Sequence, residues 1–154
     1  LECLDLGLNQ LTRVPAEIGQ LTSLTTLHLH GNQLTSLPAE FGQLASLRIL
    51  GLDSNQLTSV PAEIWQLTSL EWLKLSDNHL TSVPAEIGQL TSLEWLDLSE
   101  NQLTSLPVEI GQLTSLRREL HLNDNQLTSM PAAIGEFRAA GCEVYMDDGV
   151  TYDE

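Results

Sequence analysis

The chain has 154 residues, a one-domain length, and carries 21 acidic side chains against six lysines and arginines, for a formal net charge of −15. That balance excludes the basic footprint needed for nucleic acid or an anionic membrane, and it favours solubility and a basic partner surface. No apolar run has the length of a membrane span and no secretory leader is visible, so no membrane insertion is expected.

The chain opens directly on a strand-like motif at Leu1, with no polar segment ahead of it. Stacked repeats need polar ends to cover their last apolar layer, so the expectation is that further repeats precede this one. From Leu24 a sentence of 23 residues begins, LTTLHLHGNQLTSLPAEFGQLAS, and it returns from Leu47, Leu70 and Leu93 with few changes. Within it, alternation predicts a short strand: Leu96 and Leu98 point inward while Trp95, Asp97 and Ser99 point to the other face. One such strand per repeat stacks into a parallel sheet, with Leu27, Leu29, Leu50, Leu52, Leu73, Leu75, Leu96 and Leu98 buried. Asn9, Asn32, Asn55, Asn78, Asn101 and Asn125 recur at the turn leaving the strand. Their carboxamides are expected to satisfy backbone groups freed at the bend.

The second half of each repeat holds a proline: Pro15, Pro38, Pro61, Pro84, Pro107 and Pro131. Proline suits the first position of a short helical turn, and Glu40, Glu63, Glu86 and Glu109 follow two residues later, where carboxylates favour the positive end. Gly42, Gly88 and Gly111 are read as terminators of that turn. The convex side is therefore expected to carry helical or 3₁₀ pieces too short for full α-helices. Trp65 replaces the usual glycine of its repeat and is expected to pack over a neighbouring loop or to mark a second contact surface.

The pattern L-x-x-L-x-L-x-x-N-x-L at a fixed period resembles the leucine-rich repeat superfamily over the whole chain. The LPxxI element with its 23-residue period is similar to the subclass of Ras-group and Roco-type intracellular repeat proteins. The resemblance implies an α/β solenoid with a parallel sheet on its concave face, protein recognition on that face, and no catalytic residues. Six copies fill residues 1–136, and residues 137–154 form a C-terminal cap. The spacing stretches to 24 between Asn101 and Asn125, because LRREL (116–120) holds one extra residue. A turn over Phe137–Gly141 and a last strand over Cys142–Met146 are expected, with the polar tail shielding that strand's edge.

The copies differ mainly on the outward face of the strands. One column reads Cys3, Thr26, Ile49, Trp72, Trp95, Glu119, Glu143, and the next reads Asp5, His28, Gly51, Lys74, Asp97, His121, Tyr145. Trp72 and Trp95 should lie side by side, with Ile49 extending the patch, and exposed aromatic clusters are typical contact centres. Asp77, Glu100, Asp124 and Asp148 follow one another at the strand exits, with Asp147 beside them. Mutual repulsion there would be relieved by a basic partner. The expected partner contacts are therefore Ile49, Trp72, Trp95, Lys74, Asp97, His121, Tyr145, Glu100 and Asp124. Sheet stacking and plain solvation are the bland accounts of the same residues.

His28 and His30 face the same way, with Asp53 nearby and Gly7 and Gly51 leaving space, a set that zinc accepts in principle. No metal or other cofactor is assigned. No nucleophile with a placed base, phosphate loop or H-E-x-x-H is present, so no enzyme is expected. Cys3 and Cys142 lie in the first and last repeats, too far apart to pair. With no Asn-x-Ser/Thr acceptor, they point to a reducing, intracellular and cytoplasmic setting. The function expected is a non-catalytic module binding a protein whose surface is basic and partly apolar. The alternatives are a structural subunit or spacer of a larger assembly, or the ligand-recognition region of a receptor.

Overall fold

The computed structural model describes all 154 residues. Seven three-residue strands form one parallel sheet: β1 (Cys3–Asp5), β2 (Thr26–His28), β3 (Ile49–Gly51), β4 (Trp72–Lys74), β5 (Trp95–Asp97), β6 (Glu119–His121) and β8 (Glu143–Tyr145). The register matches the sequence columns, with Ile49 paired to Trp72, Trp72 to Trp95 and Trp95 to Glu119. The extra residue of the sixth copy is absorbed before β6, in the exposed Arg117–Arg118 step, so the pairing does not slip. Keeping the register matters because a one-residue shift would turn every core leucine outward.

The leucines Leu27, Leu29, Leu50, Leu52, Leu73, Leu75, Leu96 and Leu98 are buried in one continuous apolar ridge that runs the length of the stack. From Asn32 onward each amide of the asparagine column bridges two repeats. Asn78 Nδ2 donates to Leu75 O, to Ser76 O and, one repeat back, to Leu52 O, while its Oδ1 accepts from Leu57 N at 3.0 Å. Asn32, Asn55, Asn101 and Asn125 repeat this arrangement. No buried side-chain polar atom lacks a partner.

The convex side carries five 3₁₀ turns, Ala16–Gln20, Ala39–Gln43, Ala62–Gln66, Ala85–Gln89 and Val108–Gln112. Their chemistry differs from expectation in three respects. Each proline sits one place earlier, at the N-cap, with extended ψ of 146–163°, so its carbonyl accepts the first 3₁₀ bond. The glutamates occupy the first turn but make no side-chain cap bond. The glycines do not end the turns, because they lie inside them and none has positive φ. They permit close approach instead: a Cβ on Gly88 would come within 2.7 Å of Glu109 O in the next turn.

Trp65 occupies that glycine position in the third repeat and is 2% exposed. It packs between the convex sides of repeats three and four, which lie less closely together than their neighbours. It lines a cleft of about 340 Å³ with Val60, Leu75, Leu80 and Val83.

The sixth copy ends differently. A true helix, α1 (Ala133–Ala139), replaces the 3₁₀ turn, begins earlier than the expected Phe137 and runs through the expected cap boundary at residue 136. Its alanines, Glu136 and Arg138 favour helix. It closes on Gly141 at φ 99°, with Gly141 N donating to Arg138 O and Cys142 N to Phe137 O, a Schellman ending. The tail does not lie along the edge of β8. Instead β9 (Thr151–Tyr152) pairs in parallel with β7 (Ser129–Met130), a second small sheet that the sequence did not announce. No helix is long and apolar enough to cross a membrane.

Candidate functional site

The parallel register sets the concave columns side by side, and the side chains respond by stacking. The rings of Trp72 and Trp95 lie 5.3 Å apart at 17°. Trp95 and His121 are 5.4 Å apart and tilted, and His121 and Tyr145 are 4.4 Å apart at 12°. The result is one aromatic row, Trp72–Trp95–His121–Tyr145, crossing from the first column to the second over β4, β5, β6 and β8. Offset aromatic pairs of this kind add about 0.5–1.5 kcal/mol each beyond burial.

Glu119 ties the row together. Its Oε2 accepts from Trp95 Nε1 at 3.1 Å and from His121 Nε2 at 2.7 Å. Those two bonds, the histidine's first, hold its carboxyl below the usual range. At the end of the row, the Tyr145 hydroxyl donates to Glu143 Oε2 at 2.7 Å, and the bond together with the glutamate's charge pushes the phenol up. The sequence reading does not single out Glu119, although its place in the column beside Trp95 was the available signal.

The two margins of the face differ in charge. On the entry side, Arg48 pairs with Glu71 in a two-bond fork at 2.9 Å, and Arg118 pairs with Glu94 at 2.9 Å. The bond from Arg48 holds the Glu71 carboxyl below its ordinary range. Arg118 also places its guanidinium 5.7 Å from the Trp72 ring. On the exit side Asp77, Glu100 and Asp124 are exposed and share left-handed backbone at φ 53°, 53° and 58°. No basic residue pairs with them. Asp147 serves the fold instead. It accepts from Asp124 N and Asn125 N, amides that in earlier repeats bond the next copy's carbonyls.

Of the other expected contacts, Ile49 and Lys74 face a hollow over Gly51, whereas Asp97 is buried and its Oδ1 accepts from both Ser99 N and Ser99 Oγ. His28 and His30 meet edge to face at 6.0 Å. The His30 ring covers Gly7, so the space expected there is filled. Asp53 turns to Lys74 instead, and the three residues do not gather into a ligand set.

A one-strand-per-repeat solenoid with 3₁₀ turns behind and a varied aromatic face in front is a recognition scaffold. Two family models match it: leucine rich repeat over residues 1–57 and 22–80, and leucine-rich repeat region over residues 62–139. The chain belongs to the leucine-rich repeat family. No curated protein matches its sequence. Among solved structures, it is similar to a leucine-rich repeat protein of Leptospira interrogans, with 40% identity over 100% of this chain and a TM-score of 0.76. It also resembles an internalin of Listeria monocytogenes in fold (22%, 100%, TM-score 0.79) and a TDR receptor (26%, 98%, TM-score 0.83). The chain spans 44%, 48% and 31% of the lengths of those three chains.

Proposed function

We propose that the concave face binds a protein whose contact surface is basic and partly apolar. The aromatic row carries this reading, because four stacked rings on the varied face form a ready hot-spot cluster. The charge margins orient the partner. The entry side is neutralised by its own arginines, so the partner's basic residues meet Asp77, Glu100 and Asp124 on the exit side. An intracellular, cytoplasmic setting is part of the proposal, supported by two unpaired thiols at opposite ends of the stack.

The test is calorimetry for affinity and stopped-flow for association rate, against a partner isolated with the wild-type protein. Trp95→Ala is expected to weaken binding roughly thirtyfold or more with the fold intact. Glu100→Gln with Asp124→Asn is expected to slow association, most at low salt. A partner indifferent to Trp72 and Trp95 removes the concave-face reading.

A further inference from the structure

The hollow over Gly51 has a chemistry of its own. It is open, holds about 370 Å³, and combines apolar walls from Ile49, Trp72 and Trp95 with His28, Asp53 and Lys74. Its floor exists because position 51 lacks a side chain: a Cβ there would already stand 3.1 Å from His28 Nδ1. Every other residue in that column carries a side chain.

Asp53 is the unusual member. Its side chain is only 18% exposed, and its only ionic partner, Lys74 Nζ, stands at 3.7 Å, too far for a good hydrogen bond. Lys74 is the chain's only lysine and is 45% exposed, so it can swing out to solvent. Asp53 is the only carboxylate lining the hollow, because Asp97, beside Lys74 in the sheet register, is turned to Ser99.

We infer that this hollow receives an arginine side chain of the bound protein, with Asp53 taking its guanidinium and Ile49 and Trp72 flanking its stem. The inference rests on the concave-face reading and adds the identity of one contact. Guanidinium fits better than ammonium because it donates in a planar fork and lies against aromatic rings. The chain already sets one guanidinium near Trp72, that of Arg118. A carboxylate guest would require Lys74 as its anchor and would face Asp53 at close range.

The test uses the whole chain, labelled for NMR, and three capped tripeptides, Gly-Arg-Gly, Gly-citrulline-Gly and Gly-Glu-Gly. The arginine peptide is expected to shift the Gly51 amide and the Trp72 indole, and the citrulline and glutamate peptides are not. Asp53→Asn is expected to lower arginine-peptide affinity about tenfold or more, as for a charge-assisted hydrogen bond. Lys74→Met is expected to raise it, because the internal competitor for Asp53 is gone. Preference for the glutamate peptide, weakening by Lys74→Met, or indifference to Asp53→Asn overturns the assignment. Any of those results with a partner still dependent on Trp72 and Trp95 leaves the concave-face reading standing. Loss of the tryptophan dependence removes that reading whatever the peptides do.

Discussion

The first and last repeats of these 154 residues differ in how their apolar layers are covered. At the first repeat Leu1 and Leu8 are 68% and 79% exposed, Leu4, Leu6 and Leu11 are half-buried, and Asn9 bonds only Leu6 O and Gly7 O within its own turn. At the last, α1 seats Phe137 in the core, Val144 continues the ridge, β9 covers β7, and Asp147 takes two backbone amides. The difference shows what a repeat gains from a neighbour: its burial and its satisfied amides come from the next layer.

The sharpest test compares leucines at equivalent positions. Leu120→Ala in the covered β6 is expected to cost about 2–5 kcal/mol, and Leu4→Ala in the open β1 about 1 kcal/mol, measured by urea unfolding. Equal costs would mean that the first layer is as well packed as the sixth. Next come the asparagines. Asn125→Ala strands Leu103 N and Leu122 O and takes a second donor from Leu98 O and Asn123 O, and should lose about 1–3 kcal/mol, while Asn9→Ala should lose well under 1 kcal/mol. Asp147→Ala should cost about 1 kcal/mol, the usual scale for losing a capping carboxylate. Amide exchange is expected to be fastest over residues 1–11 and slower over 120–145, and a flat profile would erase the contrast.

The smallest effects are titrations. The Tyr145 phenol is held up by its bond to Glu143, so whatever that bond contributes is present below the ordinary tyrosine pKa. It is lost as the pH rises through the raised value, and Glu143→Gln should return the tyrosinate absorbance midpoint towards the ordinary one. Glu119 runs the other way: its contribution is present above the ordinary carboxylate pKa and lost as the pH falls through the lowered one. His121→Ala should raise that midpoint most, because its bond is the larger cause.

The sequence made the scaffold legible because each framework choice is written several times over. The strand register, the buried leucines and the asparagine column need only periodicity. What escaped is specific to one copy or depends on a neighbour's atoms. The glycines read as stop signals are close-approach positions, visible only once Glu109 O is seen beside Gly88. β9 carries no repeat signature and forms because β7 offers it a partner. On the concave face the Trp72–Trp95 contact follows from register, but the turn of the row towards His121 and Tyr145 depends on rotamers and on Glu119. Asp97 reads as a surface acid until Ser99 is seen to enclose it.

Trp65 breaks the translational symmetry of the convex side. In a quasi-one-dimensional array, cooperativity passes only between nearest neighbours, and its strength is that of the weakest junction. Spreading repeats three and four loosens that junction on its convex side, while β3 and β4 keep their full pairing in front. Trp65 thus breaks the even spacing of the convex side while the strands in front keep their register across it.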